Sequence, residues 1–407
     1  MKSILFSSCA ACLALGIVLN DTRAIAQTTV AGGLQIFDAT RGTLKTEVVA
    51  TAATMEGFVA VTEDLQSRII TVGNSDSGVF VSRYNSDGTP DTQFGLSGVT
   101  TSPQGGQAWG VAVDSSSRVY LLSATDQNLV LVRFLPNGVP DNTYNHGIYF
   151  QTVPSPGNFG HLDVDGAGNA AIASDIADPG FTLTKFDSSG NLLFRGAVSL
   201  SAPGHHDNFT SVRIDSQGRV LVAGEASNGL MAVARFKAPP VGVSVMPDPS
   251  FAGSSSGTFY RDFGYGHQIA TDIAIASNGH IFVVGTPEIT PDYSTHFMLI
   301  ELDPDGGMLN EGDFTRGSHF GPANGIFQPY NIAIAGNSLF ISGNSFVGHS
   351  LREQFSIFKM SMAFAWDPNF GNGGYVEDYV SVYSDCVQRA LSYDPRTKNP
   401  VVVGFVR

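Results

Sequence analysis

Four of the nine histidines, His161, His205, His206 and His267, stand in short polar stretches beside aromatic and amide side chains. Imidazoles in such places suit zinc, copper or nickel where three or four of them converge within coordination distance. The run His205-His206-Asp207 also has the composition of a general base beside a carboxylate. Trp109, Tyr330, Tyr383 and Arg389 occupy comparable stretches, and aromatic, amide and guanidinium groups are what pockets for organic ligands use. The sequence holds no glycine-rich phosphate loop, nucleophile elbow, paired-cysteine metal motif or zinc-protease helix. Asp163-Val-Asp165-Gly-Ala-Gly168-Asn169 imitates a calcium loop only in part, with Ala167 at its fifth place and Ser174 at its twelfth. The expectation is therefore a polar ligand-binding mouth built from Trp109, His161, His205, His206, Asp207, His267, Tyr330, Tyr383 and Arg389. No catalytic set, metal or cofactor is assigned to it, and the competing reading is a set of solvated loops.

The elements that must position these residues repeat along the whole chain. One is an alternating segment, a polar turn and a β-branched segment, as in Gly110-Val-Ala-Val-Asp114 followed by Arg118-Val-Tyr-Leu-Leu122. Its turn residues Arg68, Arg118, Asn169, Arg219 and His280 recur at steps of 50, 51, 50 and 61. Two period-two segments around a short polar turn predict a hairpin. Counted through Ala390-Leu-Ser-Tyr-Asp394 and Pro400-Val-Val-Val-Gly404, there are seven hairpins. The other element is a strand that runs into a polar turn, such as Val79-Phe-Val-Ser-Arg-Tyr84-Asn-Ser-Asp-Gly88. Its seventh copy, Leu34-Gln-Ile-Phe37, lies at the opposite end of the chain from the hairpin that lacks it. Joining the ends completes seven four-stranded units and removes the open edges of a linear array. The expected fold is all-β, a seven-bladed β-propeller whose last blade is closed by N- and C-terminal strands. Residues 27–407 then form one domain. Long connections between second and third strands are expected at 286–296 and 344–354.

Asp91-Thr-Gln-Phe94, Asp141-Asn-Thr-Tyr144, Asp248-Pro-Ser-Phe251 and Asp367-Pro-Asn-Phe370 follow several of these strands. An Asp side chain accepts from the amide two residues on and fixes such a turn. The aromatic residue then has apolar area to bury between units. The stretch Arg83-Tyr84-Asn-Ser-Asp-Gly88-Thr-Pro-Asp91-Thr-Gln-Phe94-Gly-Leu-Ser-Gly98-Val99 resembles the delta-60 repeat of bacterial exported proteins, a propeller-type repeat. The resemblance is strongest at residues 67–150 and 355–375, and the turn is missing at 191–197 and 308–317. It implies the architecture and export, and it carries no general catalytic residue set.

Only 14% of the residues are charged and 46 are glycine, which disfavours a helical protein, while 43% hydrophobic residues suffice for a core. Residues 1–26 read as a secretory signal peptide: Lys2, an apolar run from Ile4 to Leu19, then Ala24-Ile-Ala26 before the expected cleavage. The address is then secreted or periplasmic. The run is shorter than a spanning helix needs, so no transmembrane segment is expected. The net charge of −14 opposes nucleic acid as a partner. Of three cysteines only Cys386 follows the leader, and a buried small residue is its simplest role. In the propeller, loops feeding the inner strands converge near the axis, where the mouth residues fall. The leading expectation is a monomeric module that binds a small molecule, a glycan or a protein there. An enzyme of lyase, hydrolase or sugar-oxidising type is the second expectation, and a structural surface protein the third.

Overall fold

The structure is a computed structural model. It describes residues 16–19, 32–37, 39–41, 44–50, 55–75, 78–125, 128–144, 148–152, 160–174, 181–201, 207–237, 245–287, 296–315, 325–347, 352–378, 386–394, 396 and 399–406. Within them the chain is all-β, with antiparallel sheets arranged as seven blades. Blade I runs from its innermost strand Met55–Glu63 through Ile69–Ser75 and Gly78–Tyr84 to Val99–Thr101. Blade II is Gln107–Val113, Val119–Ala124, Asn128–Phe134 and Ile148–Thr152. Blade III is Gly160–Val164, Ala170–Ser174, Phe181–Phe186 and Leu192–Val198. Blade IV is Asn208–Ile214, Val220–Glu225, Met231–Lys237 and Thr258–Arg261. Blade V is Gln268–Ile275, Ile281–Pro287, His296–Leu302 and Met308–Thr315. Blade VI is Gly325–Ala335, Ser338–Val347, Arg352–Ser361 and Tyr375–Asp378.

Blade VII joins the two ends of the chain. Cys386–Asp394 pairs with Asn399–Val406, which pairs with Gly32–Phe37, which pairs with Leu44–Ala50. The closing register sets Leu34 opposite Val403 and Ile36 opposite Val401. Gly16–Leu19, from within the expected leader, lies on the outer edge of this sheet against Leu44–Ala50. Without it the blade keeps four strands like its neighbours. Each innermost strand lies beside the next, and Cys386–Asp394 lies beside Met55–Glu63, so the ring is closed.

Second and third strands are buried almost throughout, because each is covered on both faces by neighbouring blades. Val119, Leu121, Val130 and Val132 of blade II pack with Ile70, Val72, Val79 and Val81 of blade I in one inter-blade core. Such strands read as nearly continuous apolar runs. The exceptions are the cations near their ends. Arg83 bonds Asp91, Arg133 bonds Asp141 and Arg235 bonds Asp248, each through Nε at 2.8 Å, and Lys359 meets Asp367 at 2.7 Å. These are the aspartates of the Asp-x-x-aromatic turns. Each also accepts the amide two residues on, at 3.0–3.1 Å. The aromatic side chains Phe94, Tyr144, Phe251 and Phe370 are fully buried beneath the cations.

The same cations reach into the next blade. Arg83 donates to the carbonyl of Pro136, Arg133 to Ser188, Arg235 to Pro304 and Lys359 to Ala39. A backbone bond runs beside three of these, from Gly95 to Asn137, Ala252 to Asp305 and Gly371 to Arg41. The approach is close enough to need glycine in the receiving turn. Gly138 has φ +83°, and a Cβ there would stand 2.7 Å from the Gly95 nitrogen.

One expected long connection is absent. Asn344 pairs with Phe355 and Val347 with Arg352, so 344–347 and 352–354 extend the second and third strands of blade VI, while 348–351 lies outside the described residues. The alternation of the preceding strand simply continues through Phe346 and Val347. Of the other, 288–295 lies outside the described residues.

Burial alone would raise the Asp248 carboxyl, but hydrogen bonds from Lys237 and Ser250 and the charge of Arg235 hold it well below the usual carboxylate range. Asp141 and Asp367 are lowered too, their basic partners and turn bonds outweighing burial. A depressed carboxyl stabilises the fold above the unfolded-chain value near ~4, and this contribution is lost as pH falls below it. Arg235→Met should therefore lower unfolding stability by about 3 kcal/mol at pH 7, where a buried pair loses one partner. It should also flatten the decline in urea midpoint between pH 4 and pH 2. Equal acid slopes in variant and wild type would show that the pair does not carry the acid sensitivity.

Candidate functional site

The innermost strands surround the axis, and six of the seven carry one extra residue at the same level. Register shifts fall between Phe58 and Ala60, Ala108 and Gly110, and Phe209 and Ser211. The others fall between Ala270 and Asp272, Pro329 and Asn331, and Gln388 and Ala390. The residues left out of the ladder at this level are Val59, Trp109, Thr210, Thr271, Tyr330 and Arg389, and blade I also leaves out Glu56. Blade III pairs without a shift, and His161, opposite Ala173, stands at the level of the residue that follows each bulge. A bulge breaks the ladder locally and re-aims a side chain.

The second strands accommodate four of these bulges with glycine. Gly73, Gly224, Gly285 and Gly343 recur beside them, and a Cβ on any of these would stand 1.8–2.4 Å from an atom of the opposing strand or a neighbouring side chain. For Gly224 and Gly343 that atom is the carbonyl oxygen of Asn208 or Gln328. Glycine lets the innermost strand press close just before its extra residue.

Trp109, Tyr330 and Arg389 thus share one level of the ring. Trp109 is partly buried and packs against the cluster of blades II and III that holds Leu122, Leu129 and Ile172. Tyr330 is partly buried and donates to Gln328 Oε1 at 3.1 Å, whereas Arg389 is exposed. Three other expected mouth residues hold structural positions. Asp207 accepts from the amides of Leu200, Ser201 and Ser227 at 2.7, 3.2 and 2.9 Å and from the Ser199 and Ser201 hydroxyls. It ties the crossover into blade IV to that blade's second hairpin. His267 is exposed and meets Glu225 Oε1 through Nδ1 at 2.6 Å. His161 packs edge-on to Phe209, ring centroids 5.7 Å apart. His205, His206 and Tyr383 lie outside the described residues, as does the Cys386 side chain. Among the described residues no group of three His, Cys, Asp or Glu side chains is placed to hold a metal. At the calcium-like stretch, Asp165 accepts from the Ala167 and Asn169 amides and from Asn169 Nδ2, all within 3.0 Å, as a turn aspartate does.

The sequence reading missed a polar chain along the inner strands of blades III to VI. Asp163 Oδ2 accepts the Ile214 amide of blade IV at 2.7 Å. Asp272 Oδ1 accepts from Ser211 Oγ and Arg213 Nη2, both at 2.7 Å. Its Oδ2 accepts the Ile332 amide of blade VI at 3.1 Å. Thr210 donates to the Ala270 carbonyl across the same junction. Charged residues in strands of otherwise apolar alternation are the signal that would have found Asp163, Arg213 and Asp272.

Burial raises the Asp163 carboxyl against the opposing effect of Arg213. Burial, then the Arg213 charge, lowers His161 to about 4, so its imidazole is neutral at physiological pH. As pH falls from about 6.5 to about 4 the unfolded chain takes up the proton first, and native stability drops. His161→Phe should remove that loss, which is on the order of 1–3 kcal/mol. Its thermal midpoint relative to wild type should be higher at pH 5 than at pH 7.5, and an unchanged difference would show that His161 titrates normally.

A family model described as a domain of unknown function (DUF5122) β-propeller matches residues 68–94, the stretch holding Arg83, Asp91 and Phe94. No curated protein matches the chain. Among solved structures, a GH74 xyloglucanase from Xanthomonas campestris is 16% identical with a TM-score of 0.51, over 85% of this chain and 50% of that one. A catalytically inactive virginiamycin B lyase from Staphylococcus aureus with quinupristin is 11% identical with a TM-score of 0.49, over 92% and 99%. YCF48 from Cyanidioschyzon merolae is 10% identical with a TM-score of 0.46, over 87% and 97%. At such identities the likeness to the xyloglucanase is one of fold, and this chain spans half of that enzyme's length.

Proposed function

We propose that this propeller, built of repeats of the delta-60 kind, is a binding module that holds a neutral glycan, small molecule or peptide at one mouth of its channel. The ring of bulges carries the reading. It sets Trp109, Tyr330 and Arg389 at one level of the innermost strands, which supplies aromatic faces, a phenol hydroxyl and a guanidinium. The neighbouring titratable groups are engaged otherwise: Asp207 is saturated by turn bonds and His161 is neutral. That distribution favours holding a ligand over transforming it. A second reading, chemistry at the axis, draws on Asp163, whose raised carboxyl near Arg213 is the kind of group that moves protons.

A thermal-shift screen of neutral oligosaccharides and capped peptides tests the first reading. Ligands should raise the midpoint of wild type and lose the effect on Tyr330→Ala with Arg389→Ala, whose unliganded midpoint should move little. Hits that stabilise the double variant equally would move binding away from the bulge ring. If turnover instead accompanies a hit and disappears in Asp163→Asn, the second reading replaces the first.

The chain is further proposed to be exported, with maturation after Ala26. The leader composition supports this, and no helix among the described residues is long and apolar enough to cross a membrane. Mass spectrometry of the protein recovered outside the cytoplasm should give an N-terminus at Gln27; an intact Met1 form would contradict it.

A further inference from the structure

A cavity of about 390 Å³ opens between blades IV and V on the face of the first-to-second-strand turns. Those turns cap the opposite ends of the inner strands from the bulges. Leu221 and Ile281 form its floor, Ile275 and Pro304 its walls, and the polar turn residues Gln217 and Asn278 its rim.

Other junctions fill the corresponding space. The residues at one ladder level of the second strands are the ones that matter: Tyr120 in blade II, Leu221 in IV, Phe282 in V and Phe340 in VI. Tyr120 donates to the Gly168 carbonyl of blade III at 3.1 Å. Phe282 lies edge-on to Phe364 of blade VI at 6.4 Å, and Phe340 stacks on Tyr393 of blade VII at 5.5 Å. Where the residue is small, at Ala171, the Lys185 ammonium crosses to the Gly218 carbonyl. Between blades I and II, Ser117 bonds Gln66 at 2.6 Å across the gap. At the junction of blades IV and V, Leu221 is too short to cross. The Arg235 bond to the Pro304 carbonyl meanwhile holds the far wall in place.

The lining selects its ligand. Asp215 accepts from the Gln217 and Arg219 amides, both at 2.9 Å, and from Arg219 Nε at 2.6 Å, so the only charges there neutralise each other. An ionic ligand would be desolvated against apolar walls with no counter-charge. No aromatic ring lines the cavity to stack on a sugar or a base. We infer that this cavity binds a neutral branched-aliphatic group flanked by amides, the chemistry of a leucine side chain in an extended peptide or of a free aliphatic amide.

Two probes separate these sources: N-acetyl-leucinamide and the capped peptide acetyl-Gly-Ser-Leu-Ser-Gly-amide, titrated into the full chain while methyl resonances are followed by NMR. Saturable shifts of the Leu221, Ile275 and Ile281 methyls are expected, with the peptide at least tenfold tighter if a peptide partner is the source and no tighter if a free amide is. N-acetyl-lysinamide should bind at least tenfold more weakly than its leucine counterpart. Leu221→Phe, which copies blades V and VI, should abolish binding while leaving the methyl spectrum elsewhere intact. Should that variant misfold, Ser277→Tyr on the exposed rim provides the same test by covering the mouth. Absence of saturable shifts with either leucine probe, equal binding of the lysine probe, or wild-type affinity in the folded filling variant would each overturn the proposal.

Discussion

A buried cation that bonds its own blade's aspartate and the next blade's turn is the interaction on which the ring depends. Blades are covalently joined only by crossovers, and an apolar interface between two sheets resists sliding poorly because dispersion contacts have no direction. Arg83, Arg133, Arg235 and Lys359 supply that direction. Each fixes the distance and register between adjacent sheets at the end of the third strand. Burial of a cation is costly unless its donors are met. Here they are met by a carboxylate, a carbonyl and an aromatic face together, so a blade displaced along its neighbour would strand a charge. Apolar packing supplies the attraction, and the latch makes one arrangement of it preferable.

Blades III, V and VII lack the turn aspartate, and the substitutes in III and V show what the latch does. In blade III, Lys185 still crosses to the next blade's carbonyl at Gly218 but has no turn carboxylate to meet. Burial lowers its pKa, as an incompletely compensated ammonium requires. In blade V the cation position is Glu301, which turns to His280 within the same blade at 2.8 Å. Its outer strand then ties to blade IV through Arg261 and Glu311, 2.5–2.8 Å apart. Phe297, Phe314, Phe327, Phe358 and Trp366 fill the junction with blade VI. Where the polar latch is missing, aromatic area and exterior ion pairs replace it. A surface pair is worth little alone, so the aromatic cluster carries more of that junction.

Much of this fold was legible because hairpins and circular closure are written in short-range pattern. The displaced copy at Leu34–Phe37 identified the closing strands, and Asp91 or Asp248 could be read as turn residues from their spacing. The function of Arg83 in the same motif could not be read that way. Its second partner, Pro136, lies 53 residues on and exists only once the blades are side by side. The mouth was legible in a different proportion. Trp109, Tyr330 and Arg389 were singled out by residue type, but their common level depends on bulges, which are backbone events without a residue signature of their own. Four of the bulges have an indirect signature in the glycine of the facing strand, at 73, 224, 285 and 343, whereas the bulge at Trp109 faces Ser123. Asp207 misled because a carboxylate beside two histidines resembles a site, yet five donors from turns and hydroxyls already claim it. The extension of the blade VI strands through 344–347 and 352–354 was missed because its polar residues interrupt, without ending, the alternation.

Placing the latches at the ends of the third strands has a consequence for the axis. With radial order fixed away from the channel, the innermost strands need not be regular, and six of them tolerate a break in their ladder. The polar chain of Asp163, Arg213 and Asp272 then restores cohesion along part of the inner ring, by bonding amides across blades instead of within them. It spans blades III to VI, and the unbulged strand stands at one end of that arc, in blade III. The inner ring is therefore unequal around its circumference. Side chains are committed to holding blades together from III to VI, while Trp109, Tyr330 and Arg389 belong to blades II, VI and VII.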